Sequence, residues 1–165
     1  MESAKPQSQH AFLERLVGDW HMVSATGYPN YDPNDPQQRC TETIKSVGGL
    51  WIVSEGRGAM PDGTEMTTVL TLGFDPAKGQ YVGSWIGSMM ATFWTYTGWM
   101  EPDGKTLVLE AIGPKFDGSG EMTTYRDIVT LHDDDTRTFS GSVVQPDGSF
   151  QQFMSSDFKR TRSME

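Results

Sequence analysis

Apolar residues recur at helical spacing only once in this chain. Phe12, Leu13 and Leu16 share one side of residues 9–17, with Glu14 and Arg15 on the other. This predicts a single short amphipathic helix, ended at Gly18 where a left-handed cap is common. Beyond it the period changes to two, the period of a strand. Trp20 and Met22 open a first strand. Met66, Thr68, Leu70, Leu72 and Phe74 then share one face, as do Tyr81, Gly83, Trp85 and Gly87, and Phe93, Thr95, Thr97 and Trp99. Turn residues punctuate these runs: Gly48-Gly49, Asp75-Pro76 before Gly79, and Pro-Asp-Gly at 61–63, 102–104 and 146–148. Proline presets the first central φ of a turn, and Asp and Gly tolerate the backbone angles of the positions after it.

The strands so bounded run over residues 40–47, 50–57, 66–74, 80–88, 91–100, 106–112, 122–132, 138–145 and 149–160, after the one at Trp20. About ten sequential antiparallel strands are more than a flat sheet holds comfortably, and closure removes both edges. The predicted fold is all-β: a closed antiparallel meander barrel with one short N-terminal helix. Residues 1–8 are polar and read as a disordered tail, leaving 9–165 as a single domain. Pro29, Pro33 and Pro36, interleaved with Asn and Asp, make a long irregular loop.

Composition sharpens this picture. Leu, Ile, Val and Phe total only 31 of 165 residues, and the net charge is −9, near the range of disordered chains. Ten Met, five Trp and five Tyr supply the missing core material. Thr (17) and Gly (18) each outnumber Leu (8), which favours strands over a helical bundle. Basic residues number 13 against 22 acidic ones, and they cluster only at Lys159, Arg160 and Arg162, so no nucleic-acid surface is expected. Cys40 stands alone, which excludes an internal disulfide and a cysteine-based zinc site. No run of 18 apolar residues occurs, so no membrane span is expected, and the N-terminus lacks the apolar region of a signal peptide. A cytoplasmic location is the default expectation.

Gly18-Asp19-Trp20, placed after the helix at the first strand, resembles the Gly-x-Trp signature of the calycins, the superfamily of lipocalins and fatty-acid-binding proteins. The resemblance implies that Trp20 packs against a basic residue of the last strand, Arg160 or Arg162. The chain is also similar, from His10 to Arg162, to a bacterial family catalogued as a lipocalin-like domain of unknown function. That similarity is carried by Gly73-Phe74-Asp75-Pro76, Tyr81-Val82-Gly83-Ser84-Trp85-Ile86, Tyr96-Thr97-Gly98, Arg126-Asp127 and Phe158-Lys159-Arg160. The family commonly carries an acidic residue where this chain has Gly87.

The chemistry-bearing residues point first to binding of a small hydrophobic or amphipathic molecule inside the barrel. Alternate residues of neighbouring strands face one interior, so Leu70, Leu72, Trp85, Phe93 and Trp99 are the expected lining, with Arg126 as polar anchor. A one-residue slip would exchange the faces and bring in Trp94, Tyr96, Ile86 and Glu110. The rival reading is a barrel enzyme of isomerase, cyclase or hydratase type using Glu110, Arg126 or Asp127. A third is an interaction protein, with Val82, Ile86, Trp94 and Tyr96 forming an outward apolar face that a homodimer covers. Glu110 and Arg126 on adjacent strands suit an ion pair. His132-Asp133-Asp134-Asp135 reads as a solvated hairpin, because neighbouring side chains diverge. His10, His21 and His132 are dispersed. No metal and no cofactor is expected, with haem, through His21 or His132, the less favoured exception.

Overall fold

The computed structural model describes residues 1–28, 31–60 and 62–162; Pro29 and Pro61, assigned above to loop and turn, lie outside them. Ten antiparallel strands form the barrel: β1 (Gly18–Thr26), β2 (Thr41–Val47), β3 (Trp51–Ala59), β4 (Glu65–Asp75), β5 (Gln80–Gly87), β6 (Trp94–Met100), β7 (Thr106–Pro114), β8 (Met122–Leu131), β9 (Thr136–Val144) and β10 (Phe150–Arg160). Each pairs with the next, and β1 closes on β10. The result is a closed ten-strand meander barrel. The tightest turn is the one between β2 and β3, where Gly48 and Gly49 take φ of 66° and 72°. Consecutive positive φ values match the strand twist in a two-residue hairpin and exclude most side chains.

Helix α1 (Ser8–Glu14) plugs the lower end of the barrel. It is shorter than predicted because its last turn tightens: the Leu16 and Val17 N–H groups donate to Leu13 and Glu14 carbonyls three residues back. Phe12, Leu13 and Leu16 are buried, as the spacing requires. The Gln7 N–H donates to His10 Nδ1 (2.8 Å), so Nε2 bears the ring proton and donates to the Phe74 carbonyl (3.2 Å).

The floor is organised by Trp20, fully buried, whose indole N–H donates to the Leu16 carbonyl (2.8 Å). It is Arg160 that stacks on this ring, 4.3 Å from its centroid, while Arg162 turns away to Asp135 (2.5 Å). Arg160 also donates to the carbonyls of Val17 (2.6 Å) and Arg15 (2.8 Å), which the end of the helix leaves unpaired, and to that of Asp134 (2.8 Å) in the turn between β8 and β9. Gly18 makes this approach possible. Its φ is 136°, and a Cβ there would sit 2.4 Å from Arg160 Nη1.

Register decides which faces look inward. Leu72, fully buried, pairs with Ile52 and Gly83, and Gly83 pairs with Tyr96. Residues paired across a sheet share a face, so β6 turns Trp94, Tyr96 and Gly98 inward. Phe93, Thr95, Thr97 and Trp99 face out, against expectation. Phe93 precedes the strand, which starts three residues later than the predicted 91. Both faces of β6 carry aromatics, so alternation alone had no apolar contrast to read; small Gly83 and Gly98 beside large Tyr96 and Tyr81 fill the inside instead.

Candidate functional site

The lower half of the barrel is solid. Ile44, Ile52, Leu72, Leu107, Leu131 and Phe158 pack round Trp20, all buried. Higher up, inward residues on seven strands keep partial access to solvent: Met22, Glu42, Leu70, Trp85, Asp127, Phe139 and Met154. Inward side chains with solvent access mark a cup open at the end opposite α1. Aromatic rings line one side of its mouth. Trp94 and Phe116 both pack on Tyr125 with centroids 5.3 Å away, and Phe153 joins at 6.2 Å. The deepest part of the cup holds about 60 Å³ between Leu70, Leu72, Trp85, Phe139, Glu42 and Arg137. That is room for a few waters, well short of the ~300 Å³ of a small-ligand pocket. A ligand therefore occupies the upper cup, or descends only if Trp85 or Phe139 moves.

Two polar centres face this space. In the first, Arg137 Nη2 donates to Glu42 Oε2 (2.6 Å), and the same oxygen accepts from Ser54 Oγ (3.2 Å). The Arg137 side chain is only 4 % exposed, and its guanidinium lies 4.8 Å from the Trp20 ring and 4.3 Å from Phe158. Arg137 Nε is buried without a partner. The second centre is Asp127 on β8, whose Oδ2 accepts from the Tyr96 hydroxyl. Burial pushes the Asp127 carboxyl up to about 6, opposed by the Tyr96 hydrogen bond. Burial and then the Asp127 charge drive the Tyr96 phenol far above its usual range.

The residues expected at the site divide between the two sides of the wall. Leu70, Leu72 and Trp85 line the cup and its deepest part. Phe93 (66 % exposed) and Trp99 (40 %) stand outside. Arg126 is also outside: its Nε donates to Glu110 (3.0 Å), and its guanidinium lies between the rings of Phe150 (3.9 Å) and Trp99 (5.2 Å). The physical reason is the sheet's two-residue period: Asp127 follows Arg126 and pairs with inward Leu109, so Arg126 must point away. Of the acid–base candidates, Glu110 and Arg126 are thus outside and Asp127 is inside. Ile86 and Glu110 do not join Trp94 and Tyr96 within; the slip is confined to one strand. The expected outward face loses Trp94 and Tyr96 accordingly and keeps Val82 and Ile86.

None of the three histidines faces the cup. His10 belongs to the plug. His21 points out beside inward Trp20 and bonds Thr161 (2.7 Å); His132 bonds Thr138 (2.7 Å) at the surface. Among the described residues no cluster of His, Cys, Asp or Glu is arranged to hold a metal. Arg137 escaped the sequence reading, although a signal exists. Arg137 alternates with Phe139, Gly141 and Val143, and Asp127 with Tyr125, Val129 and Leu131. A charge inside an apolar alternation must be paired or hydrogen-bonded. Outside the barrel, a shallow hollow of about 230 Å³ on β2 and β3 carries Arg57 and Glu55, which pair with each other (2.6 Å).

Comparison with known proteins agrees with this architecture. A family described as "Protein of unknown function (DUF1579)" matches residues 5–160. No curated protein matches the chain. Among solved structures, Rv2717c from M. tuberculosis superposes with a TM-score of 0.59 at 16 % identity, over 96 % of this chain and 100 % of that one. A point mutant of the fluorescent protein UnaG gives 0.48 at 14 % identity, over 92 % and 99 %. At 16 % identity the likeness to Rv2717c concerns the fold alone. No helix is long and apolar enough to cross a membrane, among the described residues.

Proposed function

The chain belongs to the family described as "Protein of unknown function (DUF1579)", and we propose that it binds a small apolar or amphipathic molecule in the open upper half of its barrel. One observation carries this reading: inward Leu70, Trp85, Phe139 and Met154 remain accessible although their strands are paired on both sides. Apolar area left in contact with water inside a closed wall is stabilised by a ligand that removes it, at roughly 25 cal/mol per Å². Few polar groups suffice to orient such a ligand; here they are Glu42, Arg137 and Asp127, in place of the outer Arg126. The reading extends to the outside of the wall, where Val82, Ile86 and neighbouring Phe93 and Ile112 form an apolar strip suited to a two-fold contact between copies.

The test uses a neutral solvatochromic dye, Nile red, titrated into the protein at micromolar concentration. Saturable blue-shifted emission is expected, with quenching of tryptophan fluorescence. Trp85→Phe removes much of that quenching, while Trp99→Phe on the outer wall leaves it. A dye response that never saturates, or one that Trp99→Phe abolishes and Trp85→Phe spares, overturns the reading.

A further inference from the structure

The interior wall above Trp20 carries two carboxyls, Glu42 and Asp127, and one guanidinium, Arg137. Arg137 is committed to Glu42 at 2.6 Å. Asp127 enters no ion pair among the described residues; its one side-chain partner is the neutral hydroxyl of Tyr96. Its second oxygen, Oδ1, accepts no side-chain hydrogen bond among the described residues. Asp127 itself keeps partial access to solvent.

Among the described residues Asp127 forms no ion pair, and the inward guanidinium of Arg137 on neighbouring β9 is bound to Glu42. The backbone partners of Asp127 are Leu109 on β7 and Gly141 on β9. Gly141 lies opposite Met154 on β10, and β6 contributes Tyr96. The other titratable groups nearby are Tyr125 on the same strand, Glu42 on β2 and Tyr28 at the mouth, whose phenol is raised by burial foremost and by the charges of Asp127 and Glu42. All of these are neutral or negative. The cup thus holds one unit of uncompensated negative charge beneath an aromatic rim.

We infer that Asp127 is the recognition point for a cationic ligand, and that the cup takes an organic ammonium with an apolar or aromatic body. This deepens the binding reading and rests on it. An N–H of the ammonium donates to the open Oδ1, while the Tyr96 hydroxyl holds Oδ2 and fixes the carboxylate plane. The body occupies the upper cup, above Leu70, Trp85 and Phe139, and the rings of the rim meet the cation through their π faces. A charge-assisted hydrogen bond out of bulk water discriminates more strongly than a neutral one. The overall charge of −9 attracts cations to the surface as well. An ammonium requires the ionised carboxyl, and burial places the Asp127 proton loss at about 6. Binding therefore weakens as pH falls through that value.

Three probes of one body separate the possibilities: 4-phenylbutylamine, 4-phenylbutanol and 4-phenylbutyrate, titrated calorimetrically into the full chain. The amine is expected to bind roughly tenfold tighter than the alcohol at pH 7.5, with the carboxylate weakest. Asp127→Asn brings the amine to the level of the alcohol and leaves the alcohol nearly unchanged. In the unsubstituted protein, which needs no variant to fold, amine affinity falls about fivefold or more between pH 7.5 and pH 5, while alcohol affinity does not. Tyr96→Phe keeps the preference for the amine. Equal binding of amine and alcohol, or a preference that survives Asp127→Asn, overturns this inference and leaves the binding reading standing. Absence of binding by all three probes sinks both.

Discussion

Two residues decide how the interior responds to its surroundings. Asp127 holds its proton up to about pH 6 in the fold, against an ordinary carboxyl value of 3.8, because burial disfavours its charge. Between those values the folded chain binds more protons at this site than the unfolded chain. Raising pH through that window therefore lowers stability, by about 3 kcal/mol for a shift of this size. Asp127→Asn should remove this component: in urea melts the variant gains on the unsubstituted protein between pH 4 and pH 7. A constant difference across that range contradicts the assignment. Arg137 is the second. Replacing Glu42 with Gln leaves a guanidinium at 4 % exposure without a counter-charge, which should cost about 3–5 kcal/mol. Glu42→Gln with Arg137→Met should recover most of that loss, since an apolar substitute needs no partner. A double variant as unstable as the single one would show that Arg137 acts chiefly by packing on Trp20 and Phe158.

At the scale of elements, β6 is the strand whose pattern does not declare its inside. Trp94 and Tyr96 are buried, while Phe93 and Trp99 lie outside. Trp94→Ala should cost about 3–5 kcal/mol as a large core truncation, and Phe93→Ser well under 1 kcal/mol as an exposed change. The midpoint of denaturant unfolding distinguishes the two, and reversed magnitudes would mean the opposite register. β4 and β5 offered more contrast, because Thr71 separates Leu70 from Leu72 and Ser84 precedes Trp85, although Val69 and Ile86 make the opposite faces partly apolar. The helix was legible for the same reason, having one apolar side and one charged side. The Arg126–Glu110 pair was legible as a pair of neighbouring strands, but its side of the wall was not. Its outward face is itself apolar, with Val108 buried beneath Trp99.

For the whole molecule, closure makes the candidate site. A flat sheet with these strands would leave both Asp127 and Arg126 near solvent; rolled into a barrel, one face becomes a plugged cup and the other a rim of exposed apolar residues. Ile86 on β5, Phe93 just before β6 and Ile112 on β7 are each between 46 % and 68 % exposed. Light scattering at micromolar concentration should therefore report a dimer of about twice 18.3 kDa. Phe93→Asp with Ile112→Asp should return it to the monomer without loss of secondary structure. A monomer at every concentration removes the two-fold contact and leaves the cup untouched.

The resemblance carried by Gly18-Asp19-Trp20 implied the Trp20 floor, and the amino-acid sequence by itself determined the number and direction of the strands and the single helix. Those depend on local turn chemistry at Gly48-Gly49 and the Pro-Asp-Gly steps, and on contrast between apolar and polar positions a few residues apart. Only the tertiary structure decided which carboxyl of the neighbouring pair at β7 and β8 enters the cup, that Arg137 meets Glu42 across 95 residues of chain, and that Tyr96 meets Asp127. Inside and outside are properties of a closed surface. Where both faces of a strand are apolar, nothing local distinguishes them, and the pairing of Gly83 with Tyr96 settles the question through the packing of the whole barrel.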